Sequence, residues 1–193
     1  LTSDVRGLAP GASQPTALLD RSGRLRAWGF LQRRHDEHLL LAEAESAAVF
    51  ADGLAAAVVA DQVEVAPLTT GRMRLALGPL AVAGRAGVDA ERMFPVEGWG
   101  SRGVVTWDTT PPPGDPIGNA ELALLHVVAG PPRWRHEADP GQLVNETTLL
   151  ASAVSFDKGC YLGQETVAKL ATRRGAATAP LLLAVDDGFE HLE

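Results

Sequence analysis

A single cysteine, Cys160, in 193 residues leaves no thiol partner within the chain, so an internal disulfide is excluded and a cytoplasmic setting is the default expectation. Aromatic residues make up only 5% of the sequence, and alanine and valine supply much of the apolar content. No apolar run approaches the roughly 18 residues of a membrane-spanning helix, and the opening LTSDVRGLAP has neither a basic n-region nor an apolar h-region. No membrane partner is expected. The formal charge is −7 without a long basic run, so the phosphate-neutralising stripe of a nucleic-acid binder is missing and nucleic acid is not an expected partner. The histidines, at 35, 38, 126, 136 and 191, show no zinc-ligand spacing, and no metal is expected. GxSxG, GxxxxGK[ST] and GxGxxG are also lacking, which removes the simplest hydrolase, P-loop and dinucleotide readings.

What is present is the composition of a folded chain, 46% hydrophobic and 21% charged. The length allows one good core or two small ones. Residues 16–43 read as two or three strands, with turns at Asp20–Gly23 and His35–Glu37. From Ser46 to Ala60 the spacing of Val49, Phe50, Leu54 and Val58 predicts a helix with Ser46 as N-cap, which Gly53 weakens. VEVAPL, MRLALGPLAVAG and GVVTWD predict short strands of a second lobe, within about residues 61–118. A proline-rich connection, 109–119, leads into AELALLHVVAG, a helix striped by Leu122, Leu125, Val128 and Ala129 and stopped at Gly130, Pro131 and Pro132. A further strand is expected at Leu181–Val185. The chain starts at Leu1 without a Met, and residues are expected to precede it.

The lone cysteine sits in DKGCYLGQET, Asp157–Thr166. A thiol near Lys158 and near a helix beginning at Gln164, with Val167, Ala168 and Leu170 on its buried side, would ionise readily; the alternative is a small, inert, buried cysteine. Gly159 and Gly163 are expected at turn positions of positive φ, and Glu165 as a solvated first-turn charge. In VNETTLL, the Glu146 carboxylate matches a flat heterocycle presenting N–H and NH₂ side by side, or serves as a charge at a helix start. Asp4 in TSDV is either a turn aspartate or a buried acid. His35 and His38 read as a solvated pair.

KGCYLGQE, Lys158–Glu165, resembles the signature of the YgfZ-type folate-binding proteins, relatives of the aminomethyltransferase (T-protein) of the glycine cleavage system. AGPPRW is similar to that family's AG-x-PR segment, VNETTLLASAVSFDKGC to its P-x-E…SF-x-KGC run, and LTSDV to its LT-x-DV opening. The resemblance covers both ends of the chain, while residues 45–118 are only compatible with it. It departs from the pattern at His126 and Val128, where an arginine and an acid are frequent, and at Val144, where proline is common.

The resemblance implies an α+β, GcvT-like folate-binding fold in residues 1–171, with antiparallel sheets and helices around a central cleft, and the start of a C-terminal β-domain in residues 172–193. It implies that tetrahydrofolate or a one-carbon derivative is bound, with Asp4 and Glu146 at the pocket, Glu146 on the pterin edge, and Tyr161 and Gln164 alongside. Cys160 and Lys158 fall on the motif that sets YgfZ-type proteins apart from T-proteins, and are the residues expected to carry chemistry. The implied role is support of iron–sulfur cluster assembly or repair, with client or assembly proteins as partners. The rival readings are a folate-dependent aminomethyl or one-carbon transferase, a cysteine hydrolase with a histidine base, and a scaffold without ligand.

Overall fold

Asp20 closes the first hairpin. Its Oδ1 accepts hydrogen bonds from the Ser22 amide (2.8 Å), the Ser22 hydroxyl (2.8 Å) and the Arg24 amide (3.0 Å), the self-bonding turn that aspartate makes well. Burial pushes its carboxyl up, but the bonds from Arg24 and Ser22 outweigh it and hold the group below the usual aspartate range. The turn joins β1 (Ser13–Leu19) to β2 (Leu25–Arg33), paired antiparallel with Ala17 opposite Trp28 and a bulge at Leu18/Leu19. The expected reversal after Arg33 leads into β3 (His38–Leu41), giving a sheet of order β1-β2-β3. The computed structural model describes residues 1–58, 62–68, 73–78, 92–98, 101–107 and 115–181.

Helix α1 (Ala44–Ala57) packs on β2, and Phe50 is its fully buried aromatic residue. Its start differs from expectation. Glu43, not Ser46, is the N-cap residue, and its carboxylate is drawn away to accept the Trp134 amide at 3.0 Å. Ser46 lies one turn inside, buried, with no partner for its hydroxyl among the described residues. Gly53 lies close to β1: a Cβ there would be 2.5 Å from Leu18 Cδ2, the end of a side chain that would have to turn aside.

The second sheet contains β4 (Met73–Leu77), β5 (Met93–Gly98) and β6 (Ser101–Trp107) in the order β4-β6-β5, all antiparallel. VEVAPL is not a strand. Residues 62–68 have no regular structure and Val63 is 57% exposed, because alternation makes a strand only where a neighbouring strand pairs with it. Strand β5 was not anticipated. Pro95 within it sits on an edge strand opposite Val104, where a missing N–H is tolerated, and its carbonyl accepts the Ser13 hydroxyl of β1. Phe94, Val96, Val105 and Trp107 join Leu19, Trp28, Phe30, Trp134 and Val144 in one hydrophobic cluster, so the two sheets share a core.

Helix α2 (Asn119–Ala129) forms where expected and ends at Gly130. No residue in it is fully buried; of the expected stripe Leu122, Leu125 and Ala129 are half-buried and Val128 is exposed, so the stripe forms the less exposed side of the helix without entering the core. A 3₁₀ turn (Val144–Glu146) precedes α3 (Leu149–Ala153), which packs on β1; α4 (Gln164–Lys169) runs into a π-helical turn (Leu170–Arg174). The chain is thus mixed α+β, with two three-stranded antiparallel sheets and four α-helices among the described residues. None of those helices is long and apolar enough to cross a membrane. The expected extended segment 109–114 and the strand at 182–185 lie outside the described residues.

Candidate functional site

Gly163 turns the cysteine loop into α4. Its φ of +83° is left-handed, and a Cβ would lie 2.5 Å from the Asp20 carbonyl oxygen and 2.8 Å from Gly23 Cα. Only glycine meets both demands, and the loop therefore seats against the β1–β2 turn. Gly159 departs from expectation: its φ is not positive and a Cβ there would meet nothing within 4 Å. Across the turn, the Tyr161 amide donates to Gln164 Oε1 at 3.3 Å and the Gln164 amide donates to the Tyr161 carbonyl at 3.2 Å. Gln164 is thus held by the loop it closes. Glu165 is exposed and accepts Lys169 Nζ at 2.6 Å, the solvated charge expected of it.

The N-terminal segment docks beside this loop. Thr2 is buried, its hydroxyl donating to the Ala153 carbonyl (2.6 Å) and accepting the Ala17 amide (2.9 Å), while the Ser155 amide donates to the Thr2 carbonyl (3.0 Å). Lys158 then fastens the segment from the other side: Nζ donates to the Leu1 and Ser3 carbonyls, each at 2.8 Å, and lies 5.8 Å from the Tyr161 ring centroid. Partial burial holds the Lys158 pKa below the usual lysine range; the Asp4 charge opposes this and Arg6 reinforces it. Asp4 is half-buried and makes an Asx-type bond, its Oδ1 accepting the Arg6 amide at 3.0 Å. The turn reading is therefore met.

Cys160 is exposed, so it is not the buried cysteine of the alternative reading. Two of the three ammonium protons of Lys158 point at Leu1 and Ser3, giving it a positioning role for the N-terminal segment. Tyr161 packs against the core; its hydroxyl is buried without a hydrogen-bond partner among the described residues, and burial pushes its pKa up.

Glu146 ends the 3₁₀ turn. The turn is fixed by the fully buried Val144 and by Asn145 Nδ2, which donates to the Val167 carbonyl of α4 at 3.1 Å. The Glu146 side chain is half-buried, and its carboxylate has no hydrogen-bond or ion-pair partner among the described residues. That leaves both oxygens available to a ligand.

Two and three residues further on, Thr148 and Leu149 line a cleft of about 220 Å³ whose other walls include Trp28, Phe30, Glu97 and Pro131. Trp28 and Phe30 meet edge to face, centroids 5.6 Å apart. Asp4, Glu146 and the cysteine loop do not line this cleft. Its volume is below the roughly 300–1,000 Å³ usual for a whole ligand, so a flat ring fits and a longer molecule must extend out of it. The chemistry present is that of aromatic and prolyl walls, with the Glu97 side chain as the acid that lines them. Sequence reasoning missed the aromatic pair, although RAWGFLQ places Trp28 and Phe30 two apart, on one face of a strand.

The AG-x-PR-like segment braces α1. Arg133 grips Glu137 through its amide (2.9 Å) and Nη2 (2.6 Å), and Arg135, at φ 63°, donates from Nε to Glu45 at 2.6 Å. Among the described residues no group of three or more His, Cys, Asp or Glu is arranged to hold a metal ion. No family model matches the chain, and a search of the curated proteins gives no match.

Proposed function

We propose that this chain binds a tetrahydrofolate species and supports assembly or repair of iron–sulfur clusters in client enzymes, with the GcvT-like fold implied by its resemblance to YgfZ-type proteins. The observation that carries the reading is the meeting of its two motif-bearing segments: Leu1–Ser3 is clasped by Ala153–Lys158, across more than 150 residues of sequence. Residues similar to a family pattern at both ends of a chain gain force when they touch.

In this reading Glu146 receives the pterin edge, since a free carboxylate accepts two adjacent N–H groups, and Asp4 and Tyr161 stand by. Gln164 acts on the ligand only through the loop it closes. The folate supplies one-carbon chemistry when bound. The exposed Cys160 is left for a partner's sulfur or iron. Wild type and Cys160→Ser, compared in cells lacking the protein, test this. Cys160→Ser is expected to fold and bind folate yet fail to restore iron–sulfur enzyme activity; full restoration would show that the thiol is not needed for the function.

A further inference from the structure

The β2–β3 hairpin and the loop following Asp4 line a second pocket, an open surface depression of about 390 Å³. Its lining includes Arg6, Arg33 and Arg34, with His35 and His38, against the carboxylates of Asp36 and Glu37, a net positive patch on a chain of net charge −7. Two of the guanidiniums are immobilised. Arg33 Nη1 donates to the carbonyls of Leu8 (3.0 Å) and Arg6 (3.4 Å). Arg34 donates from Nε to Gln32 Oε1 at 3.3 Å and lies 5.8 Å from the Trp107 ring centroid, its side chain only 16% exposed.

The acids at the same rim are already engaged. Asp36 Oδ1 is 2.6 Å from His35 Nδ1, and Glu37 Oε1 is 3.2 Å from Arg34 Nη1. Arg6 has no acidic partner among the described residues, while its backbone is fixed by the Asp4 carboxylate. Fastening the loop accounts for Arg33 alone. It does not account for Arg6, an exposed cation facing the same pocket from a separate segment.

We propose that this pocket is a binding site for a small, multiply charged anion, held through phosphate or carboxylate oxygens by Arg6 and by the guanidinium N–H groups of Arg33 that the loop does not use. A guanidinium presents five donors in a fork matched to such oxygens, and groups ordered before the ligand arrives lose less entropy on binding. The site stands independently of the folate reading.

Calorimetric titration with inorganic phosphate and, separately, citrate at low salt tests it, using wild type, Arg6→Gln and Arg26→Gln, an exposed arginine outside the pocket. At least one probe is expected to bind wild type saturably with Kd of about 1 mM or tighter, and the tighter of the two identifies the oxygen chemistry. Arg6→Gln should weaken that binding about tenfold or more, with Arg26→Gln unchanged. Saturation by neither probe at about 10 mM, or equal effects of the two substitutions, would overturn the proposal.

Discussion

Lys158 and Ser3 are 155 positions apart and joined by one hydrogen bond, Nζ to carbonyl oxygen at 2.8 Å. Together with the bond to Leu1, it makes the cysteine loop the fastener of the N-terminal segment. Lys158→Met keeps the stem and removes the donors. Charged hydrogen bonds contribute roughly 1.5–3 kcal/mol each when buried; at a half-exposed site a total loss of about 1–2 kcal/mol is expected in urea unfolding. Hydrogen exchange should quicken at Ala17 and Ser155, whose amides bond Thr2. Unchanged exchange there would show that the segment holds without Lys158.

Gly163 and Gly159 form a matched pair of tests. Gly163→Ala must place a side chain at φ +83° and 2.5 Å from a carbonyl oxygen, and should cost at least about 1–2 kcal/mol. Gly159→Ala, facing open space, should leave the urea midpoint within about 0.5 kcal/mol of wild type. Equal midpoints for the two variants would show that the loop does not seat on the β1–β2 turn.

Stability should depend on pH through Glu137. Its hydrogen bonds from Arg133 hold its carboxyl below the usual glutamate range. As pH falls, the unfolded chain therefore takes up its proton first, near pH ~4.3; the contribution is present above that pH and is lost as pH falls through the lower native value. The pair is partly exposed, so about 0.5 kcal/mol is expected. Wild type should exceed Glu137→Gln by that margin at pH 7 and match it at pH 3 in urea unfolding; an equal margin at both pH values would remove the pair from the account.

These residues also mark what could be read without coordinates. The β1–β2 hairpin was legible because Asp20–Gly23 carries its turn chemistry locally, and Gly163 because a turn glycine before a helix has a local cause. Strand β5 was not, since Pro95 argues against a strand unless the strand lies at an edge. Ser46 looked like a cap because the pull of Trp134 on Glu43 comes from 91 positions away. At the site, residue types were visible at Glu146 and Cys160. The clasp between the chain's ends was not, because it runs through the Leu1 and Ser3 backbone carbonyls, which no residue type announces.

Folate binding can be measured directly by calorimetry of wild type and Glu146→Gln with tetrahydrofolate. Wild type should bind saturably. Glu146→Gln, which disturbs no partner among the described residues, should keep the wild-type urea midpoint and weaken binding by roughly 30- to 150-fold, the equivalent of losing a charge-assisted pair of hydrogen bonds worth about 2–3 kcal/mol. No saturable binding by wild type at millimolar tetrahydrofolate, or unchanged affinity in a folded Glu146→Gln, would contradict the assignment.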